Sequence, residues 1–338
     1  MNIAIISSTK DKASVNIKEN LINKFSFNES EEQFDNSNIY EFAKNKNNAI
    51  NNKNIKLYTI NSELIFTDNL DKKINSDIFV FISKHRAQED RASLTCHAIG
   101  NFGKAEHGGK DNALCYSTPI LLKKLFIELN NNAKEPYEAT LEATHHGPYM
   151  EKPVLFVELG SNEKYWDDGN GGFLVAKSLM GALGRFNGFV AINNNTLNEK
   201  NYNNNPTMIN NPTNKNNDYK NKSKINENNN SIEKNNVNNV IKNNENTNYE
   251  PVFIVGGSHY NHVANKAMLQ SNLAVGHICA KYNLENLDEN MLRQAMEKII
   301  PKPKFVLLDW KGLGKEKQRI LEILEKSNIE YRRSDKVF

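Results

Sequence analysis

The stretch PVLFVELGS (residues 153–161) begins with five apolar residues in a row and is interrupted by Glu158. A strand that is apolar on both faces is typical of the centre of a sheet that helices cover on each side. After a short polar segment, GGFLVAKSLMGALGRF (171–186) shows apolar residues at helical spacing. This order of strand and helix predicts an α/β fold.

Short apolar runs and helical repeats alternate along much of the rest of the chain. The apolar runs predict strands at 2–7, 55–60, 77–85, 138–146, 153–161, 251–258, 273–280 and 304–310. Helical spacing predicts helices at 118–132, 171–186, 288–300 and 316–328. Thr118 and Asp288 stand where N-caps are expected. We therefore expect a single α/β domain over residues 1–338 with a mixed, mostly parallel sheet.

Two Asn-rich segments interrupt this alternation. Residues 193–249 are nearly half Asn and contain few apolar residues, so they cannot bury enough surface to offset the entropy of ordering them. We interpret this block as a disordered insertion within the domain, since lengthening a loop costs little. A weaker Asn-rich patch at 36–54 predicts a second, shorter loop expansion.

The bulk composition excludes several classes of protein. The 338 residues carry a net charge of only +3, so charge alone does not indicate a nucleic-acid binder. The three cysteines are scattered without a CxxC pair, which excludes a disulfide framework and a thiolate zinc knuckle. The N-terminus reads as a strand, and no run approaches the roughly 20 apolar residues that span a bilayer. We expect a cytoplasmic protein with no membrane partner.

Histidines are the most informative polar residues, because several of them follow predicted strands. These are His85, His145, His146 and His259. In α/β sheets functional residues gather beyond the carboxyl ends of strands, and imidazole is a common zinc ligand. No compact zinc signature is present, so a metal site must be assembled from separate strand ends. A turn at Gly147-Pro148 allows the adjacent His145 and His146 to face one cavity.

Other histidines give weaker signals. His97 and His107 lie in the polar segment after His85, and His277 lies inside the predicted strand LAVGHICA (273–280). For His277 the pattern favours a core histidine with a hydrogen bond rather than a ligand.

Two carboxylates interrupt apolar strands. Strand alternation places Glu142 on one face of 138–146 with His146, and His145 on the other face. Glu158 shares a face with apolar neighbours, where a carboxylate must be hydrogen-bonded, paired or bound to a metal. Burial raises a carboxyl pKa, which suits a general base. The alternative is a structural acid paired with an arginine or a backbone amide.

Glycine-bearing loops and basic residues offer possible phosphate contacts. The loops GNFGKAEHGG (100–109) and GGSHY (256–260) have the backbone freedom to present N–H groups to an anion. Neither loop fits the Walker or dinucleotide patterns. The segment 83–91 carries three cations just after a strand, which favours either a phosphate contact or a solvated charged turn. These cations are Lys84, Arg86 and Arg91.

Three long stretches carry a resemblance to a known family. They are SKHRAQEDRASLTCHAIGNFGKAEHGG (83–109), EATHHGPYMEKPVLFVELGSNEKYWDD (142–168) and VGGSHYNHVANKAML (255–269). In this order they resemble the archaeal and plant type of D-aminoacyl-tRNA deacylase. The resemblance spans essentially the whole chain outside the Asn-rich segments.

The resemblance implies a zinc-dependent ester hydrolase with aminoacyl-tRNA as its substrate and no stable protein partner. Such an enzyme releases free tRNA and a D-amino acid by cleaving the bond to the terminal ribose. It implies an α/β fold similar to the peptidyl-tRNA hydrolase and phosphorylase group. The alternatives are a related hydrolase, such as a peptidyl-tRNA hydrolase or a metal-dependent amidase, and a non-catalytic tRNA-binding protein.

On this basis we assign hypothetical roles to the candidate residues. The zinc ligands are drawn from His145, His146, His97 and His259. The catalytic candidates are Glu158, Glu142 and His146, with a carboxylate as proton acceptor. The candidates for holding the tRNA acceptor backbone are Lys84, Arg86, Arg91 and Lys104. The candidates for the oxyanion or phosphate loop are Gly256, Gly257 and Ser258.

Overall fold

The computed structural model describes residues 1–43, 53–187 and 248–338. The strands are β1 (Asn2–Ser8), β2 (Phe27–Phe34), β3 (Ser37–Phe42), β4 (Asn54–Ile60), β5 (Ile78–Lys84), β6 (Ser93–His97), β7 (Gly100–Asn101), β8 (Ala113–Leu114), β9 (Glu138–Leu141), β10 (Val154–Gly160), β11 (Glu250–Val255), β12 (Leu273–Cys279), β13 (Phe305–Leu308) and β14 (Glu330–Arg333). The α-helices are α1 (Lys12–Lys24), α2 (Pro119–Asn132), α3 (Glu163–Trp166), α4 (Gly169–Arg185), α5 (His262–Gln270), α6 (Glu289–Glu297), α7 (Lys317–Lys326) and α8 (Ser334–Val337). The predicted insertion at 193–249, except for its last two residues, lies outside the described residues.

Eight strands form the larger sheet, in the order β2-β3-β4-β1-β5-β10-β6-β9. Its centre is parallel, because β4, β1, β5 and β10 all run in one direction. Strand β6 runs antiparallel to β10 and parallel to β9, and the β2–β3 hairpin adds an antiparallel edge. The predicted mixed, mostly parallel sheet is confirmed.

The C-terminal strands form a second sheet in the order β12-β11-β13-β14. All its pairings are parallel. The sequence pattern locates these strands but does not say which strands pair, so a second sheet was not expected. Helix α2 packs against β12 of this sheet and against β6 and β9 of the larger one. One helix therefore covers parts of both sheets.

Strand β10 occupies the position that its sequence predicts. Every residue from Val154 to Gly160 is buried, and β10 lies between β5 and β6. The predicted caps are also confirmed, since Thr118 accepts a hydrogen bond from the Leu121 amide and Asp288 accepts one from the Met291 amide. These side chains satisfy amides that lack partners at a helix N-terminus.

The N-terminal part of the chain departs from the sequence analysis in two places. Part of the expected loop at 36–54 is the regular strand β3, whose Tyr40 and Glu41 pair with β4. Helix α1 was not predicted, because its Asn and Lys residues leave a weak apolar stripe, yet packing against α4 and β5 buries Ile17 and Leu21. In the described parts of the chain, no helix combines the length and apolar character needed to cross a membrane.

Candidate metal centre and active site

The register of the larger sheet brings a histidine and a carboxylate together. His97, the last residue of β6, lies opposite Phe156 of β10, and Glu158 lies opposite Thr95. Side chains two residues apart on a strand point to the same face, so His97 and Glu158 share one face of the sheet. Strand β6 is short and mixes polar with apolar residues, so the sequence indicates only that His97 lies in a polar segment after His85. The antiparallel pairing of β6 with β10 positions this histidine.

His145 and His146 face the same site, because the backbone turns at His146 itself, before the predicted Gly147-Pro148 turn. Strand β9 ends at Leu141, so strand alternation does not extend to residues 142–146. His146 has a φ of +49°, a left-handed conformation that turns the backbone at that residue. The rings of His145 and His146 lie 4.4 Å apart between centroids, and the His97 ring lies 4.4 Å from His145.

Backbone carbonyls fix the orientation of all three rings. The Nδ1 atoms of His97, His145 and His146 lie 3.1, 2.7 and 2.6 Å from the carbonyl oxygens of Ala98, Ala143 and Gly147. A carbonyl oxygen only accepts, so each Nδ1 carries the hydrogen and donates it. The Nε2 atom of each neutral ring then keeps its lone pair free for a ligand.

These three histidines, which we call the three-histidine site, have the character of a metal site. One ring nitrogen from each lies within 4.8 Å of those of the others. The Nε2 atom of His97 is buried and has no hydrogen-bond partner within the described structure. A buried polar atom without a partner is costly, and a bound cation removes that cost. Three neutral imidazoles with one open position are typical of catalytic zinc.

Two buried carboxylates flank the three-histidine site. Glu142 and Glu158 are only 1% and 4% exposed to solvent. Glu158 Oε1 lies 3.9 Å from the Nε2 atoms of both His97 and His146. Glu142 Oε2 lies 3.6 Å from His145 Nε2, although strand alternation predicts that these side chains point to opposite faces. The early end of β9 accounts for the difference.

His259 approaches the same cluster from the second sheet. Its Nε2 atom lies 2.9 Å from Glu142 Oε2, and its Nδ1 atom lies 2.9 Å from the Tyr282 hydroxyl. Two further donor sets are possible, one formed by Glu142, His145 and His259 and the other by His85, Glu142 and Glu158. Since His145 Nδ1 donates to a carbonyl, its single free nitrogen serves only one of the two sets that contain His145. The role of His259 as a ligand stays a prediction.

The electrostatics of the site keep His145 and His146 neutral beside ionised carboxylates. Burial, reinforced by neighbouring imidazoles, holds the pKa of His145 well below its usual value and lowers that of His146 to about 4. Burial raises the pKa of Glu142, but His85 and His259 outweigh it and hold that pKa well below its usual range. Burial lowers the pKa of His97, but the neighbouring Glu158 has the larger opposite effect, so the pKa of His97 lies above its usual value. A proton and a metal therefore compete for His97.

Two cavities meet at the adjacent histidines. The first, which we call the cationic cavity, has a volume of about 500 Å³ and is lined by three cations, by the site carboxylates and by two further acids, Asp11 and Glu63. Its cations are Lys10, Lys84 and Arg86. The second cavity, of about 460 Å³, is lined by Lys104, Glu106 and Tyr282 among others. His145 and His146 line both cavities. A substrate with two halves can therefore reach the site from two sides.

The predicted RNA contacts do not lie on one surface. Lys84 and Arg86 line the cationic cavity and Lys104 lines the other one, whereas the exposed Arg91 pairs with Glu138. Their role in binding tRNA stays a prediction.

The predicted phosphate loop keeps fewer free amides than its glycines suggest. The Gly256 amide donates to the Cys279 carbonyl oxygen at 2.8 Å, so it is not available to an anion. The Ser258 hydroxyl donates to the Tyr260 carbonyl oxygen. A Cβ added at Gly312 meets the Gly257 nitrogen at 2.4 Å, which shows how closely the two backbones pack. These contacts give Gly256 and Gly257 a packing role beside His259, and the role of the loop in binding an anion stays a prediction.

Several residues of the site were not assigned a role from the sequence. His85 was noted as a strand-end histidine, and its position after β5 was the available signal. Tyr260 and Tyr282 hydrogen-bond to site histidines, and Lys10 lines the cationic cavity. The sequence carries no signal for the two tyrosines, because only the packing of the second sheet places them there.

Comparisons with known proteins show similarity to one family. The family model described as D-aminoacyl-tRNA deacylase matches residues 72–197 and 219–332. A protein of that name from Pyrococcus furiosus is 28% identical over 337 residues, which cover 97% of this chain and 98% of that protein. One of the same name from Methanosarcina mazei is 29% identical over 339 residues, covering 97% and 90%.

A solved structure shows the same fold. The crystal structure of AF0625, a conserved protein of unknown function, matches 100% of this chain and 96% of its own, with a TM-score of 0.71 and 24% identity. The family model covers well over half of the sequence, including the segments that supply the histidine and carboxylate cluster. The chain belongs to the D-aminoacyl-tRNA deacylase family.

Proposed function

We propose that this protein hydrolyses the ester bond between a D-amino acid and the terminal ribose of tRNA, releasing free tRNA and the D-amino acid. Its relatives carry the name of that activity. The observation that carries the proposal is the three-histidine site, with one orphaned ring nitrogen, between two buried carboxylates. A binding protein has no need for such a costly buried cluster.

We propose zinc as the cofactor, held by His97, His145 and His146. The fit is supported by the three ring orientations, each fixed by a carbonyl, and by the unpartnered Nε2 atom of His97. When bound at such a site, zinc activates water and stabilises the negative charge that develops on the ester oxygen. The side chain of His146 acts in this scheme as a ligand.

Glu158 is the better placed of the two carboxylates to accept a proton. Glu142 Oε2 already accepts from His259 at 2.9 Å, whereas its Oε1, 3.0 Å from His85 Nδ1, has no hydrogen-bond partner in the described structure. Glu158 Oε1 has only longer contacts, at 3.9 Å, with His97 and His146. Glu158 therefore takes the proton of the water that attacks the ester carbonyl, while Glu142 orients His259. Positioned proton transfer of this kind contributes roughly 10²- to 10⁴-fold to a rate.

The cationic cavity suits the nucleotide side of the ester. Lys10, Lys84 and Arg86 hold phosphates without reading sequence, as in most contacts between proteins and nucleic-acid backbones. The ester bond then lies at His145 and His146, where the two cavities meet. The aminoacyl group extends into the second cavity, which Lys104 also lines.

Deacylation of D-Tyr-tRNA, with L-Tyr-tRNA as the control, tests the reaction. We expect release of D-tyrosine, its loss on treatment with a chelator and its return with added zinc. Activity that a chelator leaves unchanged contradicts the cofactor assignment. Cleavage of N-acetyl-aminoacyl-tRNA in preference to D-Tyr-tRNA favours a peptidyl-tRNA hydrolase, cleavage of a simple amide favours an amidase, and binding without turnover favours the non-catalytic alternative.

Three sequence-based expectations stay predictions. They are the cytoplasmic location, the absence of a stable protein partner and the disordered character of the Asn-rich insertion. The similarity of the fold to the peptidyl-tRNA hydrolase and phosphorylase group stays a prediction as well.

A further inference from the structure

His85 lies between the two carboxylates of the site and outside the three-histidine site. Its Nδ1 atom lies 3.0 Å from Glu142 Oε1 and 3.5 Å from Glu158 Oε2. Its Nε2 atom lies 2.7 Å from the Tyr260 hydroxyl. The Nε2 atom is therefore hydrogen-bonded, whereas the Nδ1 atom faces both acids without satisfying Glu142 Oε1, which has no hydrogen-bond partner in the described structure. His85, Glu142 and Glu158 are also a possible donor set for a metal, so the zinc content of His85 variants decides between a ligand and a positioning residue.

The surrounding structure holds this histidine in place. Its amide donates to the Leu159 carbonyl oxygen at 2.9 Å, and its carbonyl oxygen accepts from the Trp166 indole at 2.9 Å. A Cβ added at Gly160 meets His85 atoms at 2.7 to 2.8 Å, so only glycine leaves room for this close approach. His85 is 4% exposed. The position of the ring is thus set by β10, α3 and the second sheet together.

Two buried carboxylates in one small cluster need a group between them. Like charges in a buried site repel, and one acid then protonates or turns away. His85 is the residue whose nitrogen contacts both, while the other imidazoles of the cluster each contact one carboxylate. The Tyr260 hydroxyl fixes the far side of its ring.

We infer that His85 is a positioning residue, which holds Glu142 and Glu158 in the orientations that the reaction requires and does not itself bind the metal. This inference rests on the proposed function. Glu142 in turn orients His259, and Glu158 faces His97 and His146. A small displacement of a reacting group lowers the rate strongly. A residue that fixes the positions of both acids, as His85 does, therefore affects the rate without touching the substrate.

Substitution of His85 tests the inference. In His85→Gln and His85→Gly we expect kcat for D-Tyr-tRNA to fall on the order of 100-fold, with KM within about threefold of wild type. Zinc content, measured by plasma mass spectrometry, stays at the wild-type value in both variants. Because His85 lines the cationic cavity, added imidazole can occupy the space that the side chain leaves beside the two acids, and it restores kcat of His85→Gly by about tenfold or more.

Matched variants separate this role from a loss of folding. His262→Gln changes an exposed histidine at the start of α5 and leaves kcat unchanged. Tyr260→Phe removes only the hydroxyl that contacts His85, and we expect a smaller fall in kcat than in His85→Gln. If His85→Gln unfolds, as judged by thermal melting, the kcat of Tyr260→Phe decides the question.

Each contrary result has a distinct meaning. Loss of zinc from a folded His85→Gln identifies His85 as a ligand and overturns the inference. Wild-type kcat in His85→Gln, or in Tyr260→Phe when His85→Gln is unfolded, also overturns it, as does the absence of rescue by imidazole. A wild-type protein that does not deacylate D-Tyr-tRNA overturns the proposed function instead.

Discussion

The chain buries imidazoles in two neighbouring regions that differ in one respect. His277, on β12, is fully buried, and both of its nitrogens have partners: Thr144 Oγ1 at 3.1 Å and the Cys115 carbonyl oxygen at 3.0 Å. His97 is equally buried, but only its Nδ1 atom has a partner, and its Nε2 atom has none in the described structure. Thr144 directly precedes His145, so the two regions adjoin.

The difference shows that burial alone does not identify a functional histidine. His277 completes its hydrogen bonds and ties the second sheet to segments beside the larger one, which is a structural role. In the three-histidine site, the Nδ1 atoms donate their hydrogens to backbone carbonyl oxygens, and the Nε2 atoms face one another. A buried nitrogen without a hydrogen-bond partner, such as Nε2 of His97, favours a ligand-binding role, and the predictions below test that distinction.

The largest expected effect comes from removing a ligand of the three-histidine site. His97→Ala and His146→Ala each lose zinc and lower kcat/KM on the order of 10³-fold or more, since a metal contributes several kcal/mol to the transition state. Metal analysis and deacylation of D-Tyr-tRNA measure both effects. If a variant keeps both its zinc and its rate, the substituted histidine is not a ligand and contributes only to packing.

A smaller effect is expected from the carboxylates, and it sharpens their different roles. Glu158→Gln keeps the shape of the side chain and loses the proton acceptor, so kcat falls roughly 10²- to 10⁴-fold while zinc stays bound. Glu142→Gln, which disturbs an orienting contact, costs about 10- to 100-fold. Steady-state kinetics with metal analysis distinguish them. Equal losses contradict the assignment of Glu158 as the base.

His277 is expected to affect stability rather than activity. His277→Gln keeps at most one of the two hydrogen bonds and leaves a buried group unsatisfied, which costs about 1–3 kcal/mol in free energy of unfolding. Zinc content and kcat stay close to wild type in the folded variant. Denaturant unfolding at pH 7 measures the first effect. Loss of zinc in this variant removes the contrast between the two regions.

Acid pH provides a second test of the same residue. Burial lowers the pKa of His277 to about 4, below the ordinary value of 6.5. Between pH 6.5 and 4 the unfolded chain therefore binds a proton that the folded chain does not, so stability falls as pH falls through this window. The contribution reaches roughly 3 kcal/mol, and His277→Gln lacks it. Unfolding curves at pH 7 and pH 4.5 that shift equally in both proteins contradict this account.

The smallest effects are expected at the cations. Lys84→Ala and Arg86→Ala each remove a cation that lines the cationic cavity, so we expect KM for D-Tyr-tRNA to rise about three- to tenfold at low salt, with less effect at high salt. Arg91→Ala serves as the matched variant, because its guanidinium pairs with Glu138 away from these two cations. If KM for Arg91→Ala rises as much as for Lys84→Ala and Arg86→Ala, the surface that contacts RNA also includes Arg91, beside Glu138.

Several features of the fold were predictable because they depend on neighbours in the sequence. The helices that follow Thr118 and Asp288 and the buried strand β10 appear where the pattern predicts them. The ends of strands were less certain: β9 ends at Leu141, five residues before the predicted end. Apolar spacing records which residues are buried, but the end of a strand depends on the partner beside it.

The sequence by itself determined that this chain alternates strands with helices, that several of its histidines follow predicted strands and that two acids interrupt apolar runs. Those properties follow from local periodicity and from the rarity of carboxylates in apolar runs. Only the tertiary structure decided which of them meet. The pairing of β6 with β10 positions His97. The left-handed backbone at His146 lets this residue and His145 face the same site. His259 and Tyr260, which follow β11 of the second sheet, contact the site from the other side. Residues from distant segments converge through pairing and packing, which no local pattern encodes.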